Sequence, residues 1–130
     1  MNSVGQDIKD ILVSESAGYV FGTNLFVGKE PAMPDNCITI FDTPGFPPQL
    51  TLDRTEIYEY PTIQIRVRDQ GYQDGFTTIN NIKDLLHGIG QDTVNGTFYS
   101  LIACSSGPAL LDWDEKERCR WIANFMVQRR

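Results

Sequence analysis

The residues best able to do chemistry in this chain are one histidine, three cysteines and a short run of carboxylates. Because His87 is the only histidine, the sequence contains neither a two-histidine metal site nor the histidine pair of a metalloprotease. A lone histidine at the end of a helical segment is typical of a side chain that complements the negative end of the helix dipole. The expected role of His87 is therefore structural.

The cysteines Cys37, Cys104 and Cys119 lie far apart, in or beside segments with strand character. Thiol catalysis would need His87 next to one of them, and small buried hydrophobic side chains are the favoured interpretation. Their odd number and wide spacing indicate free thiols in a reducing compartment.

Two glycine-containing segments are similar to chemical motifs without satisfying them. In residues 22–29, five residues separate the glycines instead of four, and Glu30 occupies the place of the hydroxyl residue that a phosphate-binding loop requires. Residues 105–108, Ser-Ser-Gly-Pro, lack the Gly-x-Ser-x-Gly frame of a hydrolase nucleophile. We predict a strand for the first segment and a turn for the second.

Four carboxylates cluster near the C-terminal end: Asp112, Asp114, Glu115 and Glu117. Their spacing matches no calcium-binding loop, and Lys116 and Arg118 balance their charge. A solvated turn between two strands is therefore the favoured interpretation. A cation site or small hydrolase built on these carboxylates is the remote alternative.

The chain length, the composition and the net charge exclude further classes of protein. The 130 residues, 41% hydrophobic and 22% charged, are typical of one globular domain with a single core. A net charge of −6 argues against a protein that grips nucleic acid, because such binding depends on Lys and Arg at the phosphates. The N-terminal residues lack the apolar run of a signal peptide, and no stretch approaches the length of a membrane span.

Two helices are predicted from apolar residues at helical spacing. The first covers residues 3–17, ends near Gly18 and buries Val4, Ile8, Ile11 and Leu12. The second runs from Tyr72 to His87, with Asp69 as candidate N-cap and Gly88 as C-cap.

The remaining apolar segments predict strands at residues 24–27, 37–41, 63–67, 98–103, 109–113 and 120–128, with a tight turn at Asn95-Gly96. A turn joins the first two strands. The last strand has apolar residues on both faces, so it is either central in the sheet or covered by a neighbour. The order predicts an α+β fold in one domain, residues 1–130, with a mostly antiparallel sheet and both main helices on one face.

A long loop or arm is predicted at about residues 44–60. Residues 44–48, Pro-Gly-Phe-Pro-Pro, cannot continue a central strand because proline lacks the ladder N–H. Long loops in compact domains are usually functional or disordered, and the aliphatic and aromatic residues here argue against disorder. The arm carries side chains suited to packing on a neighbour: Phe46, Leu50, Leu52 and Tyr58.

Basic side chains concentrate at Arg66 and Arg68 and again at Arg129 and Arg130. The simpler interpretation is a solvated strand face and a polar tail. The alternative is pairing with acidic groups of an adjoining subunit.

Several runs of the sequence resemble one protein family over nearly the whole chain. The runs are Asn24-Leu-Phe-Val-Gly-Lys-Glu-Pro31, Cys37-Ile-Thr-Ile-Phe-Asp-Thr43, Pro47-Pro-Gln-Leu50, Tyr60-Pro-Thr-Ile-Gln-Ile-Arg-Val-Arg68 and residues 107–130. They are similar to the minor capsid or tail-terminator (tail completion) proteins of long-tailed bacteriophages.

The resemblance implies a non-enzymatic virion protein without cofactors, assembled in the host cytoplasm. It would form a homo-oligomeric ring, typically a hexamer, on the head-proximal end of the tail tube. There it would end growth of the tube protein and form the joint to the neck or connector (stopper) protein. The net charge of the subunit adds the hypothesis that DNA passes through the lumen of such a ring without specific binding. The alternative is a neck or head-tail adaptor.

A ring subunit needs two different complementary surfaces. On this implied function, we expect the subunit interface to include side chains from the arm, the basic strand and the second face of the last strand: Phe46, Leu50, Leu52, Tyr58, Arg66, Arg68 and Met126.

Overall fold

A computed structural model of the chain describes residues 1–49 and 58–130. Its elements are α1 (Val4–Glu15), β1 (Leu25–Val27), β2 (Cys37–Phe46), β3 (Tyr60–Asp69), α2 (Tyr72–Leu86), β4 (Asp92–Val94), β5 (Thr97–Trp113) and β6 (Cys119–Arg129). The strands form one sheet in the order β1-β2-β3-β6-β5-β4. Every neighbouring pair is antiparallel except β1 and β2, so the predicted α+β class with a mostly antiparallel sheet is confirmed.

Both helices pack on the same face of the sheet. Helix α1 contacts β1, β2 and β3, whereas α2 contacts β3, β5 and β6. The strands present alternate residues to the helices, as period-2 patterning requires. The core between the layers includes Ile8, Leu12, Ile40, Ile63, Ile65, Ile79, Ile82, Leu86 and Phe125, all completely buried.

The helix ends differ in detail from the prediction. Helix α1 is capped by Ser3, whose Oγ accepts a hydrogen bond from Gln6 N at 3.3 Å, and it ends at Glu15, before Gly18. The N-cap of α2 is Gly71, and the expected cap Asp69 was wrong. Asp69 is the last residue of β3, and its Oδ1 accepts a hydrogen bond from Gly71 N at 2.8 Å. The carboxylate therefore stabilises the turn that precedes the helix.

The strand predicted at residues 37–41 extends into the start of the predicted arm, because β2 continues through Pro44 to Phe46 with a register shift after Thr43. Strand β1 pairs only with residues 38–40. Among the described residues, no strand lies on the outer side of this part of β2, so the missing proline N–H breaks no ladder bond. The pairing between β2 and β3 continues past Phe46, since Gln49 N donates to Tyr58 O at 2.8 Å. The described ends of the predicted arm are therefore hydrogen-bonded to each other.

Strand β5 is longer than predicted. Residues 98–103 and 109–113 belong to one strand, and the turn expected at residues 105–108 was wrong. Register shifts between Cys104 and Ala109 absorb this irregular segment, as β-bulges do. The expected turn at Asn95-Gly96 is confirmed, with both residues at positive φ and β4 and β5 paired on either side.

Strand β6 lies between β3 and β5, so the first of its two predicted settings, a central position in the sheet, is confirmed. Its residues alternate between the helix-covered face and the opposite face. The Trp121 ring packs against Tyr72 and Phe76 of α2, and its Nε1 donates to Tyr72 O at 3.1 Å. The final strand thus anchors the second helix.

A buried polar cluster joins α1 to the far end of the sheet. The Tyr99 hydroxyl donates to the carboxylate of Asp7, which is completely buried. Arg129 Nη1 lies 3.4 Å from the same hydroxyl, and Asn95 Nδ2 donates to Asp7 Oδ1 at 2.8 Å. Burial, together with the Asp7 carboxylate, raises the pKa of Tyr99 well above its ordinary value. Arg129 therefore belongs to the structural interior, not to a polar tail.

Candidate subunit-interface surface

The sheet face opposite the helices is one candidate surface. In the parts of the chain that the structure describes, neither helix covers this face. Cross-strand register places its residues in rows, such as Thr62 beside Met126 and Ala103. We call it the open face, and its central residues are Thr62, Gln64, Arg66, Ala103, Ser106, Asn124 and Met126.

A hydrogen-bonded row crosses the centre of the open face. Arg66 Nη2 donates to Gln64 Oε1 at 3.1 Å, and Gln64 Nε2 donates to Asn124 Oδ1 at 3.1 Å. Asn124 Nδ2 donates in turn to Ser106 Oγ at 2.8 Å. The row links β3, β6 and β5, so it holds these side chains in fixed positions before any partner arrives.

The two arginines predicted at the interface have different surroundings. Arg66 is half-buried, with its guanidinium 4.9 Å from the centroid of the Phe41 ring, and it remains accessible on the open face. Arg68 is only 2% exposed, and its donors reach Glu30 and backbone oxygens of residues 32–35. Its hydrogen bonds are made within the chain, so Arg68 supports the surface without being part of it.

The apolar residues predicted at the interface also differ in their exposure. Phe46 is 64% exposed at the end of β2, and Met126 is 41% exposed on the open face. Tyr58 is half-buried, with the Arg130 guanidinium 5.6 Å from its ring centroid. Leu50 and Leu52 lie outside the described residues. Phe46 and Met126 are therefore the accessible apolar groups of the predicted set.

The carboxylate run near the C-terminal end forms ion pairs. Arg118 Nε contacts Asp114 Oδ2 at 2.7 Å, and Arg120 Nη1 contacts Asp112 Oδ1 at 3.1 Å. Burial alone would raise the pKa of Asp114, but hydrogen bonds from Arg118 and Lys116 outweigh it and hold the pKa below its ordinary value. Within the described ranges, no three His, Cys, Asp or Glu side chains gather in a way that could hold a metal ion. Asp112 lies in β5, and the other three carboxylates lie in a charged turn, as predicted, although Asp114 and Arg118 are more buried than a solvated turn implies.

His87 lies beside Cys104, but the two do not form a catalytic pair. The His87 Nδ1 accepts a hydrogen bond from the backbone N–H of Cys104 at 2.9 Å. The Cys104 Sγ instead approaches the carbonyl oxygens of Ser106 and Gly107, at 3.6 and 3.8 Å. The histidine therefore fixes the end of α2 against β5, which replaces the predicted role in complementing the helix dipole. Cys37 and Cys119 are buried, and burial raises the pKa of both thiols.

Strand β5 exposes a second apolar region that sequence reasoning missed. Among the described residues, β4 covers only Thr97–Tyr99 of its outer side, and no strand lies beside residues 105–113 there. We call residues 105–113 the β5 edge segment. Its exposed large side chains are Leu110, Leu111 and Trp113, at 39%, 43% and 50%. The available signal was three large apolar residues within four positions of a segment with no helix predicted to cover it.

The opposite end of the sheet carries an apolar hollow. Its lining includes Phe21, Phe26, Val27, Lys29 and Pro31, and we call it the β1 hollow. Phe21 is 52% exposed and Lys29 lies at the solvent-accessible rim. None of these residues was predicted as functional, because short apolar strands beside a proline are usual in ordinary sheets.

In the described residues, no helix has the length and apolar character needed to cross a membrane.

Comparison with known proteins agrees with this structural picture. Residues 2–129 match the family model described as bacteriophage tail terminator protein. No curated protein matches the sequence. Among solved structures, a chain from the virion of a native gene transfer agent particle is 13% identical, with a TM-score of 0.69. That match covers 97% of this chain and 93% of the other, so the two share a fold along their length.

The family match spans almost the entire chain, and the members of this family are structural proteins of phage tails. The chain therefore belongs to the bacteriophage tail terminator proteins, and it is a structural protein of a phage tail rather than an enzyme.

Proposed function

We propose that this protein forms a ring, most simply a hexamer, on the head-proximal end of the tail tube. There it ends addition of tube protein and provides the joint to the neck or connector (stopper) protein. The match to tail terminator proteins over residues 2–129 is the observation that carries the proposal. The fold shared with a chain of a gene transfer agent virion supports a place in the assembled particle, reached after assembly in the host cytoplasm.

The surface chemistry is compatible with this role. Phe46 and Met126 expose apolar groups at the end of β2 and on the open face. Arg66 Nη1 lies 3.9 Å from Glu30 Oε2 in the loop after β1. We propose that these residues, with Tyr58 and with Leu50 and Leu52, which lie outside the described residues, belong to the subunit interface. Arg68 is excluded from that contact surface because its donors are used within the chain.

The net charge fits a channel for DNA. With 17 acidic and 11 basic side chains, the subunit repels phosphates more than it attracts them. Several of the arginines are already paired with carboxylates of the chain: Arg68, Arg118, Arg120 and Arg129. DNA would therefore pass through the lumen without being held.

The proposal is tested by phage particles that lack the protein. Terminator function predicts tails of variable and excessive length, and addition of purified protein to growing tubes should restore a uniform length. Tails of normal length that fail to join heads would contradict termination and would favour the alternative, a minor capsid or neck adaptor at the head-tail interface.

A further inference from the structure

The C-terminal part of the β5 edge segment has the properties of a strand edge that binds another chain. Protected edges usually carry lysine, proline or a covering loop. Within the β5 edge segment, Pro108 and the bulge beside it protect the first part. Residues 109–113 contain neither lysine nor proline, and the single charge there, Asp112, is paired with Arg120 at 3.1 Å. The exposed side chains of this segment are Leu110, Leu111 and Trp113. On the outer side of the segment, no strand among the described residues pairs with its backbone N–H and C=O groups. Such a combination favours association with another chain.

The β1 hollow lies at the other end of the same sheet, four strands away in the order β1-β2-β3-β6-β5. Phe21 and Phe26 give it an aromatic lining, and Pro31 belongs to the loop that closes it. This loop is held in place because Glu30 Oε1 accepts hydrogen bonds from Arg68 and Arg120, at 2.9 and 3.0 Å. The hollow is thus a fixed surface suited to receive large apolar side chains.

The charges at the two ends are complementary. Lys29 is exposed at the rim of the β1 hollow, and neighbouring Glu30 is already neutralised by Arg68 and Arg120. Beyond the β5 edge segment, Asp114 is neutralised by Arg118, which leaves Glu115, Lys116 and Glu117 exposed. These three sum to −1, because two negative charges accompany one positive charge. One end therefore presents apolar groups with a cation, and the other presents apolar groups with net negative charge.

We propose that the β5 edge segment of one subunit packs against the β1 hollow of a second copy of this chain. Leu111 and Trp113 enter the hollow, and the turn with Glu115 and Glu117 lies against Lys29. This inference rests on the proposed ring and names the contact that closes it. The two surfaces belong to different strands, β1 and β5, and the loop that closes the hollow reaches β6, where Arg120 contacts both Glu30 and Asp112. Because the two surfaces differ, the contact is head-to-tail and can repeat around a closed ring.

A second copy accounts for both surfaces at once. Each subunit carries one β5 edge segment and one β1 hollow, so every apolar edge in a closed ring is covered and every Lys29 meets a neighbouring acidic turn. A tube or neck protein on one surface would leave the other exposed. The same charge complementarity also speeds the correct encounter and disfavours reversed subunits.

The test is charge reversal with restoration. Lys29→Glu places like charges at the contact, and Glu115→Lys does the same from the other side. Each single variant should associate about tenfold more weakly, measured by native mass spectrometry of the purified chain and by electron microscopy of rings on isolated tail tubes. An equimolar mixture of the two variants should recover assembly, since alternating subunits restore an opposite pair at each contact. Lys83→Glu on α2 is the matched charge control and should assemble like wild type.

An apolar variant gives an independent measurement. Leu111→Arg should prevent ring formation, whereas Val13→Arg, at a similarly exposed position on α1 (40% against 43%), should not. Near-ultraviolet circular dichroism should show that both variants remain folded.

The outcomes separate this contact from the proposed function. If wild type and all variants form rings equally well, or if the mixture is not restored, the proposed contact is wrong while the function stands. If wild type forms no ring in solution or on tubes, both are wrong. If only the Lys29, Glu115 and Leu111 variants fail and the mixture recovers, the contact is correct.

Discussion

The Arg68 guanidinium donates a hydrogen bond to Glu30 Oε1 at 2.9 Å, which joins the loop after β1 to the middle of the sheet. Arg68 is 2% exposed and also donates to Pro34 O at 2.6 Å and Asp35 O at 3.1 Å. A strongly buried guanidinium that satisfies several carbonyls holds a loop much more firmly than an exposed ion pair does. The shape of the β1 hollow therefore depends on this pair.

Removal of the Arg68 side chain should destabilise the fold substantially. Arg68→Ala leaves several loop carbonyls without a donor and weakens the support of Glu30, so we expect a loss of about 3 kcal/mol in the free energy of unfolding. Urea denaturation followed by Trp fluorescence measures it. The control is Lys83→Ala, which removes a more exposed ion pair with Asp84 and should cost less than about 1 kcal/mol. Equal losses in the two variants would contradict the structural role of Arg68.

The Asp114 carboxylate should make stability depend on pH. Hydrogen bonds from Arg118 and Lys116 lower its pKa in the folded state. Its contribution is therefore fully present above the ordinary aspartate pKa, about 4, and is lost as the pH falls through the lower folded value. Asp114→Asn should destabilise the protein at pH 7, and the difference from wild type should shrink below about pH 4.

Urea titrations at a series of pH values measure this dependence. Glu115→Gln is the matched control, because Glu115 is exposed and has no ion pair with a described residue. It should leave the free energy of unfolding nearly unchanged at pH 7. A constant destabilisation of Asp114→Asn from pH 7 to pH 3 would exclude the electrostatic explanation.

Gly107 is required for the irregular path of β5. It has φ of +92°, and a Cβ there would lie 2.8 Å from Ile122 O. Gly96 has a similar φ of +81°, but a Cβ there meets no described atom within 4 Å. Gly96→Ala should therefore cost about 1 kcal/mol from backbone strain alone, and Gly107→Ala about 3 kcal/mol because steric overlap is added.

Thermal and urea unfolding of the two glycine variants give the comparison. Because Gly96 and Gly107 have a similar positive φ, the difference in unfolding free energy between the two variants measures the close approach of β5 to β6. Equal destabilisation would show that the bulge shifts to accommodate the methyl group.

The connection between β2 and β3, residues 50–57, should be needed for assembly but not for folding. Gln49 N donates to Tyr58 O at 2.8 Å, so β2 and β3 are already paired at the point where a shorter connection can be placed. Replacement of residues 50–57 by Asn-Gly, a pair suited to a two-residue hairpin turn, removes Leu50 and Leu52 from the proposed interface. The variant should keep the circular dichroism of wild type and lose ring formation.

Ring formation is measured by native mass spectrometry and on isolated tail tubes. A control that replaces Leu50 and Leu52 with Ile keeps the apolar character and should assemble normally. If the shortened variant still assembles, residues 50–57 do not belong to the subunit interface.

The parts of the fold that could be predicted from the sequence are those determined by short-range patterns. The apolar stripe of α1, the alternation of Ile63, Ile65 and Val67 and the Asn95-Gly96 turn are short-range patterns, and each occurs in the structure as predicted. Pro44 and Gly107 were misread because their consequences depend on neighbours. Pro44 is tolerated where β1 no longer pairs with β2, and Gly107 lies in a bulge beside β6.

The candidate surface was less predictable for the same reason. A basic residue on a strand looks accessible in sequence, yet Arg68 is buried because residues 30–35 fold over it. Leu111 and Trp113 looked like ordinary strand residues, yet β4 is too short to cover them. Burial at these positions depends on the lengths of distant strands, which short-range patterns do not specify.

The position of this chain in an intact particle tests the central claim most directly. Cryo-electron microscopy of the head-tail junction, with the chain identified by a small fused tag, would locate it. We predict a single ring between the last layer of the tail tube and the neck, with the β5 edge segment of each subunit against the β1 hollow of the next. Density for the tagged chain at the distal tail tip, or within the capsid shell, would contradict the account.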